Sequence, residues 1–231
     1  VVGGYDFLER LDPTSRDRLE TLGAVRRYPA RSYVMNQGEA PGTVAVIRSG
    51  LVKITKSVPD GRSALIALRG DGELIGELAA LDTQGRSASV TTVVDSELLV
   101  IRGEVFAAAC REHRPLADAV MQVLAERVRE LSRQVIELSV GDSMARVCGR
   151  LVELVGMEEV TRILATGGSH PPIELPLPVS QEEIGAWTGM SREAVVKAMR
   201  RLRDLGWVET GRRSVTIHDL PAVYGRSPNA Y

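Results

Sequence analysis

The segment GELAALDTQGRSASV, residues 76–90, sets an acid, Glu77, and its single base, Arg86, among mostly small, polar or apolar residues. Glycine opens it at Gly76 and returns at Gly85. A segment that only fills a core has no use for that arrangement. A buried arginine needs an anion, and a short glycine-rich turn presents backbone N–H groups to one. Arg86, Ser87 and the amides of Ser87 and Ala88 form a candidate socket for a single phosphate. Glu77, beside Gly76, can accept a hydrogen bond from a sugar hydroxyl. An acid for a ribose and a base for a phosphate suit a nucleotide with one compact anionic group. A structural Glu77–Arg86 salt bridge across a turn accounts for the same two residues, and the segment alone leaves both readings open.

The text around this segment is that of a small β domain. From Val25 to Val105, short β-branched runs alternate with turn residues, as in RSYVMNQGEAPG and VTTVVDSELLVI. Strands of this length with Gly or Asp-Gly turns indicate a compact all-β unit. Asp60-Gly61 and Asp71-Gly72 are the clearest turns. Ser49-Gly50, between Val44–Ile47 and Leu51–Ile54, reads as a two-residue hairpin corner. Upstream, residues 5–24 read as helix, with Phe7, Leu8, Leu11, Leu19 and Leu22 apolar. Asp12-Pro13 breaks that run and starts a second helix, with Asp12 as N-cap and Pro13 at the first helical position.

Downstream, residues 115–139 switch to helix. Ala117, Met121, Leu124, Val128, Leu131, Val135 and Leu138 recur at spacings of four and three, with Glu126, Arg127, Arg129, Glu130 and Arg133 between them. That is an a/d seam suited to a parallel pairing with a second copy, or a helix packed on its own domain. Gly141-Asp142 interrupts it and Ser143–Val155 resumes. A Gly- and Pro-rich loop follows, whose core, Ile173–Leu177, is a candidate edge strand.

Residues 180–217 read SQEEIGAWTGMSREAVVKAMRRLRDLGWVETGRRSVTI. Ser180 with Glu183 makes the capping-box pattern of a short helix carrying Ile184. Thr188-Gly189-Met190 makes a turn, with Gly189 able to take positive φ. Ser191 caps a second helix with Val195, Ala198, Met199 and Leu202 inward. Its other face carries Arg192, Glu193, Lys197, Arg200, Arg201 and Arg203. Helix, glycine turn, helix is the helix-turn-helix pattern, in which the early residues of the second helix meet base edges in the major groove. GWVET and SVTI flank Gly211-Arg212-Arg213, two strands with a basic tip that read as a wing reaching phosphates. From Arg192 to Arg213 there are seven Lys/Arg against three Asp/Glu, on a chain whose formal net charge is -1. A solvated helix face has the same composition; the glycine turn, the two caps and the wing favour double-stranded DNA.

Composition narrows the rest. The 231 residues, 44% hydrophobic and 26% charged, suit one or two globular domains. Two cysteines, Cys110 and Cys148, exclude a disulfide scaffold, a four-cysteine zinc site and a four-cysteine iron–sulfur cluster. Aromatics at 4% argue against stacking platforms for single strands. No apolar run approaches a membrane span and the N-terminus has no signal pattern, so a cytoplasmic protein without a membrane partner is expected. His113, His170 and His218 are scattered, no metal-spaced cluster, nucleophile elbow or Walker loop is present, and neither a metal cofactor nor an enzyme is expected. Haem would have to draw on Cys110, His113 or another isolated residue.

Residues 76–90 resemble the phosphate-binding cassette of cyclic-nucleotide-binding domains. Residues 179–209 resemble the helix-turn-helix of the cyclic-AMP receptor protein/FNR family of bacterial transcription regulators. The order is similar too, over about Phe7 to Ile217. The resemblance implies an α+β chain in three parts: a β-roll effector domain (1–114), a dimerisation helix (115–139) and a winged helix-turn-helix DNA-binding domain (140–231). It implies a homodimer controlled allosterically by a small effector, cyclic AMP or a related cyclic nucleotide. Its partners would be an operator duplex and RNA polymerase, the latter met on exposed loops without a readable signature. By the same resemblance, Arg86, Ser87 and the Ala88 amide hold the cyclic phosphate. Glu77, with the backbone at Gly76 and Leu78, holds the ribose 2′-hydroxyl. Leu131-Ser132 stands where the family's cyclic-AMP receptors have a Thr-Ser pair on adenine. Only the serine is kept, which removes one base contact worth about 1 kcal/mol. A non-nucleotide effector, or DNA binding without one, is the alternative. Arg192 and Glu193 match the family's R-E pair, and Lys197 sits where arginine is common. With Ser180, Ser191, Arg200, Arg212 and Arg213 they complete the expected DNA contacts. Arg192 suits guanine O6 and N7, Glu193 suits cytosine N4, and lysine is less selective than an arginine fork.

Overall fold

The structure, a computed structural model, describes residues 6–57, 63–82, 84–140, 142–177 and 180–228. Asp60-Gly61, Gly141 and the side chain of Leu138 lie outside the described residues. Two compact units divide the chain, Tyr5–Val128 and Arg129–Tyr231.

The first unit does not open on a helix. Residues 7–10 form turns, and the first helix is α1, Pro13–Thr21. The Phe7 and Leu8 N–H groups both donate to the Gly72 carbonyl, at 2.9 and 3.3 Å, so this apolar run is tied to the turn at Asp71-Gly72. Pro13 also forces the residue before it out of helical geometry. Asp12 is extended and its carboxylate accepts from the Ser15 N–H, as the N-cap reading required.

Eight strands build two four-stranded antiparallel sheets. The first has the order β1 (Gly23–Tyr28), β8 (Ser96–Arg102), β3 (Thr43–Ser49), β6 (Leu74–Ile75). The second has the order β2 (Tyr33–Met35), β7 (Ser89–Thr92), β4 (Val52–Ser57), β5 (Ser63–Arg69). Ser49-Gly50 is therefore not a hairpin corner. It carries the chain from one sheet to the other, because β3 is already paired on both edges by β8 and β6. Strands β3, β6 and β8 of this sheet are largely buried, which explains their apolar runs, whereas the edge strand β1 is mostly exposed. Ala45, Ile47, Ile75 and Leu98 meet Met35, Val52 and Val90 of the second sheet. Val44, Val46, Leu99 and Ile101 point the other way, into a core shared with helices.

Those helices are α1, α3 (Gly103–Glu112) and α4 (Arg114–Val140). The β text expected up to Val105 stops at Arg102. Phe106 and Ala109, three apart, bury the face of α3 against the sheet. On α4, Leu116, Ala119, Val120 and Val123 enter the same core. The seam is a different stripe: Met121, Val128, Leu131 and Val135 are each more than half exposed. Leu124 lies between, partly packed on the core. One face of α4 thus packs on its own unit, and a second apolar face is left uncovered.

The second unit is built on α5 (Ser143–Val155), whose Val147, Cys148, Leu151, Val152 and Leu154 are buried. α6 (Met157–Ala165) follows, then β9 (Ile173–Pro176), α7 (Gln181–Thr188), α8 (Arg192–Asp204), β10 (Val208–Gly211), β11 (Ser214–Ile217) and α9 (Leu220–Arg226). β9 pairs with β11 at one edge of a sheet ordered β10-β11-β9, so the proline-flanked segment is the expected edge strand. α6 and α9 were not expected. No helix among the described residues is long and apolar enough to cross a membrane.

Candidate functional site

The chemistry of residues 76–90 is set by what surrounds two buried charges. Gly76 has φ +80°, and a Cβ there would stand 2.7 Å from Arg86 Nη1 and from the Met35 methyl. Only glycine lets the chain turn there with the guanidinium packed against it. Glu77 begins α2 (Glu77–Asp82) and is 2% exposed; Arg86 is 6% exposed. The two do not pair. Arg86 Nη1 donates to the Gly76 carbonyl at 2.9 Å, and Nη2 to the Thr43 carbonyl. Its backbone is fixed to the 36–39 turn, with Arg86 N–H donating to Glu39 O and Gly38 N–H to Arg86 O, both at 2.9 Å. Among the described residues no carboxylate bonds the Arg86 guanidinium. Burial pulls its pKa below the ordinary arginine value, while Glu39 and Glu77, farther off, oppose that shift.

Glu77 is paired with Arg127 of α4, whose second terminal nitrogen donates to the Leu74 carbonyl. Arg127 was read only as a charge between seam positions. Its signal was in the spacing: Leu116, Val120 and Val123 repeat at four and three on the buried face, and Arg127 stands next in that series. Leu78 and Ser87 are exposed and Ala88 is half-buried; the bond from Arg86 to the Gly76 carbonyl ties the two ends of the segment together. Leu131 and Ser132 are exposed on α4, in the second unit. No group of three or more His, Cys, Asp or Glu among the described residues is arranged to hold a metal ion.

In the second unit the caps stand as the sequence required. The Ser180 N–H donates to Glu183 at 2.8 Å, and the Glu183 N–H to Ser180 Oγ at 3.1 Å. Thr188 is the last helical residue of α7 rather than part of the turn, and its hydroxyl donates to the Ile184 carbonyl at 2.7 Å. Gly189 takes the left-handed conformation, φ 64° and ψ 33°, which ends α7 and aims the chain into α8. Ser191 Oγ accepts from the Ala194 N–H. Val195, Ala198, Met199 and Leu202 are buried, which leaves Arg192, Glu193, Lys197 and Arg200 exposed. The backbone N–H of Glu193 and the Ser191 hydroxyl hold its carboxyl below the usual range, so it stays an acceptor at neutral pH. β10 and β11 pair in register, Gly211 opposite Ser214, with Arg212 and Arg213 exposed at the tip. Arg203 on α8 donates to Thr210 Oγ1 on β10 at 3.0 Å, a tie between helix and wing.

Comparison with known proteins agrees with both halves. Residues 25–113 match the cyclic nucleotide-binding domain family, and residues 145–224 match the Crp-like helix-turn-helix domain family. A "CRP-like cAMP-activated global transcriptional regulator" of Mycobacterium tuberculosis is 29% identical over 195 residues, 83% of each chain. A "Cyclic AMP receptor protein" of Thermus thermophilus is 29% identical over 216 residues, 94% of each. In fold, the chain is similar to FixK2 from Bradyrhizobium japonicum, with a TM-score of 0.72 and 20% identity over 89% of this chain and 97% of that one. With a β-roll, a long helix and a winged helix-turn-helix in this order, the chain belongs to the cyclic-AMP receptor protein/FNR family of bacterial transcription regulators.

Proposed function

We propose that the chain works as a homodimeric regulator that binds a cyclic nucleotide in its first unit and operator DNA with its second. The observation that carries the effector half is the state of Arg86. A guanidinium 6% exposed, with only carbonyl dipoles for partners, is a positive charge largely removed from water without a counter-anion. A phosphate placed against it restores the missing charge, and Ser87 and the Ala88 amide add donors to the same anion. The ribose 2′-hydroxyl donates to Glu77, beside the backbone of Gly76 and Leu78. Glu77 is also bonded to Arg127, so the sugar and α4 meet at one carboxylate. Ser132 contributes to the base. The names of the relatives from Mycobacterium tuberculosis and Thermus thermophilus favour cyclic AMP as the nucleotide.

Two copies pair through the uncovered seam on α4, at Met121, Val128, Leu131 and Val135. Each α8 then lies in the major groove of one half-site, with Arg192, Glu193 and Lys197 on base edges. Ser180, Ser191, Arg200, Arg212 and Arg213 contact the backbone phosphates. The dimer acts in the cytoplasm, together with RNA polymerase, and catalyses no reaction. A second reading keeps the fold and the DNA but replaces cyclic AMP with another effector. It is favoured by Leu131, which places an apolar side chain where a hydroxyl meets adenine in the family's cyclic-AMP receptors.

Titration calorimetry with cyclic AMP and cyclic GMP separates the two. Saturable heat from cyclic AMP in the parent protein and none in Arg86→Leu is the expected result. Absence of heat from either nucleotide in the folded parent would leave only the second reading.

A further inference from the structure

The apolar residues of α8 fall into two groups. Val195, Ala198, Met199 and Leu202 form the buried stripe. Val196 does not belong to it. It is 39% exposed, one helical turn after Arg192 and one before Arg200, with Glu193 three residues away on the same side. A lone exposed valine is ordinary on a protein surface. Here it is bracketed by the charged groups of a recognition helix, and a β-branched side chain is a weaker helix former than alanine. Its two methyl groups can bond neither a phosphate nor a base heteroatom. In the major groove, the one apolar feature that a natural base edge presents is the C5-methyl of thymine.

We propose that Val196 is a specificity-determining residue that packs on a thymine methyl in each half-site. The inference rests on the reading of α8 as the helix in the groove. Arg192 and Glu193 report a G·C pair through hydrogen bonds, and Val196 reports a neighbouring thymine through contact alone. An exposed position on α8 thereby carries sequence information that its charge pattern does not express.

The test begins with selection from random duplexes, with the full-length protein and with cyclic AMP present and absent. Each thymine of the selected half-site is then replaced by deoxyuridine, which removes only the C5-methyl group. One position per half-site should lose affinity by about fourfold, the equivalent of one buried methyl. Val196→Ala should abolish that sensitivity and leave the other positions unchanged. This variant keeps the buried stripe intact and raises helix propensity, so it retains the fold. A selected half-site without thymine, thymines that all tolerate deoxyuridine, or undiminished sensitivity in Val196→Ala would overturn the inference and leave the DNA reading standing. A selection that enriches no sequence would remove the DNA reading and the inference together.

Discussion

Glu77 and Arg86 are both nearly out of water, and neither neutralises the other. Glu77 has a full partner in Arg127, and the Arg86 guanidinium has two carbonyls. Removing one member of a buried pair leaves the other charge stranded, which typically costs 3–5 kcal/mol. Arg127→Met should therefore lower stability by about 3 kcal/mol, read from urea unfolding. Adding Glu77→Gln to that variant should recover a good part of the loss, since the stranded charge is gone. A midpoint unmoved by Arg127→Met would contradict this account of Glu77. The two thiols differ from these groups in having no charge to compensate. Burial pushes Cys110 up to about 11 and Cys148 up to about 12. At pH 8 the folded protein should react slowly at both with a chromogenic disulfide reagent, and fast once denatured. Rapid labelling of either in the folded state would contradict this account of the thiols. Of these residues, Glu77 and Arg86 were legible as an acid and a base in a glycine-rich turn. The partners Thr43 and Arg127 were not, because they reach these two residues only through long-range packing.

At the scale of elements, the caps and turns read correctly where a polar side chain bonds its own neighbourhood. Asp12, Ser180 and Ser191 are of that kind, and Gly189 reads through its own left-handed backbone. Asp142 joins them. Its carboxylate caps α5 through the Ala145 N–H at 2.8 Å and pairs with Arg226 of α9. Asp142→Ala should cost about 1 kcal/mol in thermal or urea unfolding. The Ala145 N–H and then Arg226 hold this carboxyl below its ordinary value of 3.8. A depressed folded value means the contribution is complete above about pH 4 and is lost as pH falls through the folded value. The gap between parent and variant should thus stay constant from neutral pH down to that point and close in stronger acid. The helices that went unread are α2, α3, α6 and α9, each ten residues or fewer. Such helices bury only two or three residues each, too few to set a period, and packing on α5 or on the first sheet decides them. The Ser49-Gly50 corner failed for a related reason. Adjacent strands joined by a short turn usually pair, and only the partners of β3 on both edges send β4 to the second sheet.

At the scale of the molecule, α4 is the segment common to both units and carries the uncovered seam. Placing charge on it should separate a pair of copies with little harm to either unit, since those side chains are more than half exposed in the single chain. Val128→Glu with Val135→Glu should sediment as a monomer where the parent sediments as a dimer, with unchanged circular dichroism. A parent that is already monomeric at micromolar concentration would remove the dimer from the account. The order of parts was legible in the sequence because each part has its own signature: short β-branched runs between turns for the strands, spacings of three and four for α4, and a glycine between capped helices for the DNA-binding part. The identity of the proposed effector was not, because Leu131 stands where the family resemblance leads one to expect a hydroxyl. The most direct test is the affinity of the selected duplex for the parent and for Arg86→Leu, each with and without saturating cyclic AMP, by fluorescence anisotropy. The parent should tighten by roughly 5- to 150-fold on adding the nucleotide, and Arg86→Leu should bind the duplex equally with and without it. An equal gain in both proteins would show that the buried guanidinium is not where the signal enters.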